Sequence, residues 1–374
     1  MKIKIEYGTK NNKIDVTDKL INYTIIPKND IDRYKIIGID PVPKVIKSIF
    51  INNKEYCTKN IIKLPNIIIN ICSEYIHPIS FSIPAEKIYY NYKNIVKTKL
   101  LSSLIPGDRT TYIYNNEEDY YNEYKKSYFA ITKKKSDWDC LRHYEIICNG
   151  CLPYFIDIEQ CPTNTMFLHP KKLYIESNNL YDEIKNININ NLTNKQINTY
   201  NKLRDQIIKY TLNKLTTEKM ALYIINKTNN NKNISKILFL SGNTKPDYLR
   251  CLTLHGFKKI FGTNCHDYPK ISHIYKLNNL NYNLLYGKGI TYTNLLNNDL
   301  HNNKLDYSIV QDIKNKYYDI IIYGSYHRGM PYYDLVCNNY DSSKIILLCG
   351  EDIHSCDYYK YIAKGHHVFV RELI

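Results

Sequence analysis

Three residues in the stretch DWDCLRHYEIICNGCLPYF (137–155) have the types and spacing of a ligand-binding helix face. Arg142, Glu145 and Asn149 recur at i, i+3 and i+7, so one helix running through Cys148 places a guanidinium, a carboxylate and an amide side by side. Leu141, Tyr144 and Cys148 form the stripe that such a helix buries. Asp137 or Ser136 is placed to cap its start, and Gly150 supplies a left-handed stop. Pro153 then requires a strand position that needs no amide donor. A guanidinium grips a phosphate through two parallel hydrogen bonds. A carboxylate suits the paired hydroxyls of a ribose. An exposed helical ion pair, worth a few tenths of a kcal/mol, explains the same spacing, so these residues alone leave both readings open.

The distribution of arginine favours a binding role. Only seven of the 51 basic residues are Arg. Arg109 in IPGDRTTY, Arg142, Arg328 in YHRGMP and Arg371 in VFVREL all stand beside expected strands, where a planar fork differs from the point charge of Lys. A cap or surface pair near the chain end also explains Arg371. In the second half, YDIIIYGS leads into His327, Arg328 and Gly329, and KIILLCGED leads into Glu351, Asp352 and His354. Ligands of open α/β sheets sit at such carboxyl ends of strands. His327 and Asp352 are therefore the candidate catalytic bases, with Arg328, Glu351 and His354 on the cleft loops. Loop turns, and a helix cap at Asp352, are the plainer alternative.

Other signals are weaker. Cys148 and Cys151 form a CxxC with Cys140 and Cys161 nearby. But Cys148 lies on the buried stripe and Cys151 opens a strand, so four ligands are not expected to converge and no metal is expected. SGNTKP (241–246) is a loose glycine-containing phosphate loop without GxGxxG or a Lys-Ser pair.

The elements that must position these residues are legible in outline. Residues 1–58 alternate short apolar strands with turn signals such as NKND and DPVP, as a small β-rich module does. From about residue 66 strands and helices alternate: NIIINIC and ISFSIP as strands, 85–104 as a helix, TTYIYN as a strand, EEDYYNEYKKS as a helix and YFAIT as a strand. Residues 193–226 carry one long helical stripe with Thr193 at its start. Residues 236–374 repeat the α/β grammar, with KPDYLRCLTLHGF a helix stopped at Gly256. The expected architecture is α/β, with two Rossmann-like domains behind the β-rich module. The expected segments are an accessory module at 1–58, a ligand-binding domain at 59–192, a linking helix at 193–230 and a second domain at 231–374.

Composition bounds the partners. A hydrophobic share of 44% supports a packed core and excludes a disordered tail. The net charge of +15 raises nucleic acid as a partner. However, Lys is spread along the chain, and its abundance beside Asn, Ile and Tyr fits an AT-rich coding sequence. No run approaches the roughly 20 apolar residues of a membrane span, and MKIKIEYGTK lacks a secretion core. A cytoplasmic protein with free thiols is expected.

Residues 80–88 (SFSIPAEKI), 105–132 and above all WDCLRHYEIICNGCLPYFIDIEQCPTNTM (138–166) resemble the nucleotide-binding half of GT-B glycosyltransferases. The nearest kind is the exostosin-like, uncharacterised glycosyltransferases of large AT-rich DNA viruses. The resemblance rests on an R-x-x-E-x-x-x-x-G-x-x-P pattern, matched here by Arg142, Glu145, Gly150 and Pro153. It implies a nucleotide sugar bound by the 59–192 half, with Glu145 on ribose and Arg142 or Arg109 near phosphate, and with Asn149 and Gly150 beside them. It implies a glycan or protein acceptor entering from the 231–374 half, in exchanged domain order, and a cytoplasmic or virion location. Two departures stand out. Eight residues after Glu145, where an E-x7-E pattern has its second Glu, stands Pro153, and no DxD motif is expected in a suitable loop, since DWD at 137–139 reads as a helix start. The second departure suits a metal-independent enzyme without a cofactor. The alternatives are a non-catalytic glycan- or nucleotide-binding protein of the same fold and a basic nucleic-acid-binding protein. Donor, acceptor and oligomeric state stay open.

Overall fold

The computed structural model describes residues 3–228, 233–277, 281–350 and 356–374. The fold is mixed α/β and contains parallel sheets. Its contacts divide it into two compact units.

The first unit comprises residues 1–77, 341–346 and 357–368. An antiparallel sheet takes the order Lys13–Asp15, Ile5–Gly8, Ser48–Ile51, Lys54–Tyr56. The helix Asp30–Ile37 is capped by the Asn29 side chain and stopped by Gly38 in the left-handed region. From that helix the fully buried Arg33 donates to the carbonyls of Pro27, Tyr56, Cys57 and Asn60, pinning two loops with one fork. NIIINIC departs from expectation. It lies in the helix Leu64–Ile71, with Pro65 in its first turn and Leu64 and Ile68 buried one turn apart. A short apolar run does not distinguish a buried strand from a buried helix face.

The second unit comprises residues 78–340, 347–356 and 369–374. One parallel sheet orders Leu152–Phe155, Ser127–Thr132 and Lys99–Leu101, which leaves Pro153 on an edge strand. A second sheet in this unit places Ile237–Leu240 between Cys265–Tyr268 and Ile320–Tyr323. Ile237–Leu240 pairs in parallel with both of its neighbours.

Tertiary bonds override two helical patterns. Residues 85–104 form two short turns and the strand Lys99–Leu101 instead of a helix. The Lys97 ammonium is drawn to the carbonyls of Ser127 and Gly150, at 2.8 and 2.6 Å, and the Tyr89 amide to the carbonyl of Cys148. The stripe at 193–226 is two helices, Asn194–Lys214 and Thr217–Lys227. Thr193 and Gln196 do form a capping box at the start of the first. The break falls where Ile83 bonds on one side to the Leu215 carbonyl and on the other to the Thr217 amide. ISFSIP runs to this point as extended chain with a single bridge rather than as a strand, and TTYIYN holds only the turn Arg109–Thr111.

Gly256 is not a helix stop. The helix Tyr248–Phe261 runs through it and ends at Gly262, whose φ is 56°. A Cβ at Gly256 would overlap the Thr217 carbonyl, whereas one at Gly262 meets open space. Gly256 therefore lets two helices touch backbone to backbone. Gly256→Ala is expected to cost about 3 kcal/mol through overpacking. Gly262→Ala should cost only the roughly 1 kcal/mol of a strained left-handed residue. Denaturant midpoints compare them, and equal losses would refute the close-packing account.

Nine of the 11 cysteines are free, as expected, but Cys349 and Cys356 are bonded to each other.

Candidate functional site

The second unit holds a cleft of about 900 Å³. The starts of two helices meet at it. The helix Leu141–Cys148 brings Arg142 and Glu145, and the helix Tyr248–Phe261 brings Asp247 and Tyr248. Lys135, Lys245, Lys288 and Arg328 add positive charge to its walls.

Arg142 is the group best placed to hold a ligand. Its Nε donates to the Tyr112 hydroxyl at 3.0 Å and one terminal nitrogen reaches the Thr132 hydroxyl at 3.4 Å. Among the described residues no carboxylate pairs with it. A guanidinium aimed into a cleft without an acidic partner is a ready anion site. The helix start beside it is capped by Cys140, whose side chain makes no cap hydrogen bond.

Glu145 lines the same cleft but is committed internally. Its two oxygens accept from the Tyr120 hydroxyl at 2.8 Å and the Thr291 hydroxyl at 2.6 Å. Burial pushes its carboxyl above the usual range against those two bonds. Asn149 does not join the binding face. It is the fully buried C-cap of its helix, and its amide donates to the Glu145 carbonyl. Gly150 does take the left-handed conformation, with φ of 65°, but its carbonyl is held by Lys97 and Tyr200 away from the cleft. Arg109 is exposed in its turn and does not line the cleft. The short helix explains the correction at Asn149, because the i+7 position falls past its end.

From the second half, Arg328 lines the cleft and its Nε donates to Asp247 at 2.8 Å. Ser325 donates to the same oxygen at 2.7 Å. His327 is adjacent, its Nε2 4.0 Å from Asp247, but it does not line the cleft. Glu351, Asp352 and His354 lie outside the described residues. The loop that carries Arg328 passes so close to SGNTKP that a Cβ at Gly242 would overlap the Arg328 carbonyl. Sequence reasoning missed Asp247, Lys135, Lys245, Lys288, Tyr248 and Tyr286. Asp247 alone had a signal, as the cap of the helix in PDYLR; its carboxylate accepts from the Arg250 amide at 2.9 Å.

Behind the cleft lies a buried ionic floor. The Arg371 guanidinium donates to Asp137 at 2.8 Å, to the Asp139 carbonyl at 2.6 Å and to Glu372 at 2.9 Å. It also lies over the Phe81 ring, 4.5 Å from the centroid. Neither a surface pair nor a chain-end cap describes it. Asp137 and Asp139 belong to this floor rather than capping the helix. Burial raises the Glu372 carboxyl to about 7 although Arg371 opposes the shift. A carboxyl raised from 4.5 stabilises the fold fully below the unfolded value and loses that contribution as pH climbs through about 7. Glu372→Gln should therefore flatten the fall in stability between pH 5 and 8, by about 2 kcal/mol of differential effect. Urea midpoints across that range test this, and parallel wild-type and variant curves would refute it.

No group of three or more His, Cys, Asp or Glu among the described residues is arranged to hold a metal ion. Cys148 and Cys151 instead donate to the backbone carbonyls of Glu145 and Tyr128. No helix among the described residues is long and apolar enough to cross a membrane. No family model, curated protein or solved structure matches the chain.

Proposed function

We propose that this protein is a glycosyltransferase that takes its sugar from a nucleotide-sugar donor bound in the cleft, with the two parallel sheets as its two Rossmann-like halves of GT-B type. The observation that carries the reading is Arg142, a guanidinium that pairs with no carboxylate among the described residues, set in a cleft among four more cations and five tyrosines. Such walls suit a ligand with phosphate at one end and a ring at the other. A nucleoside diphosphate sugar has both, and the R-x-x-E pattern at Arg142 and Glu145 supplies the link to glycosyl transfer. Arg142 would hold the leaving diphosphate, whose charge grows as the glycosidic bond breaks. His327, beside Asp247 at the strand end, is the candidate base for an acceptor hydroxyl.

A second reading, a binding protein without turnover, draws on a specific observation. Glu145, Asp139 and Asp247 are each already engaged by hydrogen bonds within the chain, so none stands ready as a base. Release of nucleoside diphosphate from a panel of UDP-, GDP-, CMP- and dTDP-sugars, with and without glycan acceptors, separates the two. Turnover that His327→Ala lowers about 100-fold or more would support the first reading. Binding without any turnover would leave the second.

A further inference from the structure

We infer that residues 281–290 form an arm that closes over the cleft, and that Tyr286 on this arm, with Tyr248 on the wall, takes the flat ring of the ligand whose phosphate Arg142 holds. The inference rests on the phosphate-and-ring reading above and adds where the ring sits and what moves to cover it.

Four observations converge. First, the arm lines the cleft through Leu284, Leu285, Tyr286 and Lys288, yet Leu284 is 80% and Tyr286 70% exposed. Large apolar side chains left in water at a cleft mouth gain by covering a ligand. Second, Tyr286 ends a row of rings. Its centroid lies 5.4 Å from that of Tyr248, which meets Tyr292 at 4.9 Å and Phe81 edge-on at 5.9 Å. A planar base extends such a row because every base has a π face. Third, Gly287, Lys288 and Gly289 take successive φ values of 58°, 54° and 66°, a tight left-handed turn at the base of the arm, whose Lys288 ammonium donates to the Tyr114 carbonyl at 2.9 Å and to the Asn115 side chain at 2.6 Å.

Fourth, the base of the arm is clamped. Thr291 is fully buried with φ of 77°, a conformation a β-branched residue adopts only when its surroundings impose it. Its amide donates to Glu117 at 2.7 Å, and its hydroxyl bonds to Glu145 at 2.6 Å and to Tyr121 at 2.7 Å. Glu145 is thus a positioning residue. It fixes the base of the arm through Thr291 and does not need to touch the ligand.

Hydrogen exchange and thermal unfolding with UDP, GDP and inorganic pyrophosphate test the inference. A nucleotide should raise the midpoint and slow exchange across 281–290, while pyrophosphate raises the midpoint without protecting the arm. Tyr286→Ala, an exposed change that leaves the fold intact, should weaken nucleotide binding about tenfold and leave pyrophosphate unaffected. Glu145→Gln should quicken exchange of the arm in the free protein. If a nucleotide stabilises the protein but the arm exchanges as before and Tyr286→Ala binds equally well, the arm is overturned and the binding reading stands. If neither nucleotide nor pyrophosphate alters midpoint or exchange, both fall.

Discussion

Replacing Arg371 with Met is expected to destabilise the protein by roughly 3–5 kcal/mol, the range for removing one partner of a buried ion pair. The guanidinium is fully buried, and its removal takes a charged donor from the Asp137 carboxylate and from the Asp139 carbonyl. Glu372 loses a donor at the same time. Arg371→Lys should recover little, because a single ammonium cannot span acceptors arranged for a planar fork. Adding Glu372→Gln to Arg371→Met should recover part of the loss, since one carboxyl fewer is then left without compensation. Chemical denaturation of the set measures this. A loss below about 1 kcal/mol would mean that the network is hydrated and of the surface kind. Because Asp137 and Asp139 line the cleft, the single variants should also bind ligand less well even at temperatures where they remain folded.

This network shows how far the sequence could be read. Arg371 stood out because arginine is scarce, but nothing in VFVREL says that its partner lies 234 residues earlier. The strands Ile237–Leu240, Ile320–Tyr323 and Ile345–Cys349 were legible because each is a short apolar run ending at glycine or a polar turn. The helix Glu117–Lys125 was legible because acids cluster in its first turn. Residues 85–104 were not, since two carbonyls that draw Lys97 away come from distant segments. The cleft divides the same way. Arg142 and Glu145 were recovered by their spacing on one short helix. Lys135, Lys245 and Lys288 were lost among the chain's many lysines. Asn149 failed because the i+7 position falls on the C-cap, just past the helix end at Cys148. Tyr248 and Tyr286 could be placed only by folding.

Removing the guanidinium of Arg142 should abolish most ligand binding with little change in stability. The side chain contributes two hydrogen bonds to neutral hydroxyls, those of Tyr112 and Thr132, which limits the folding cost to about 1–2 kcal/mol. A bidentate charge-assisted contact to phosphate is worth more, so Arg142→Ala should weaken binding of a nucleoside diphosphate about 10- to 100-fold. A ligand at about 100 times its dissociation constant adds roughly 2.7 kcal/mol to wild type. The same concentration should then add only about 0.4 to 1.4 kcal/mol to the variant, and a thermal-shift titration separates these cases. Arg142→Lys should fall between them, keeping charge without the fork. Charge alone would make all three proteins bind alike at low salt and lose affinity together as salt rises, because scattered lysines could replace one cation. A gap between wild type and Arg142→Lys that persists at high salt would instead require the fork's geometry. The cleft, rather than the overall charge of +15, would then be what selects the ligand.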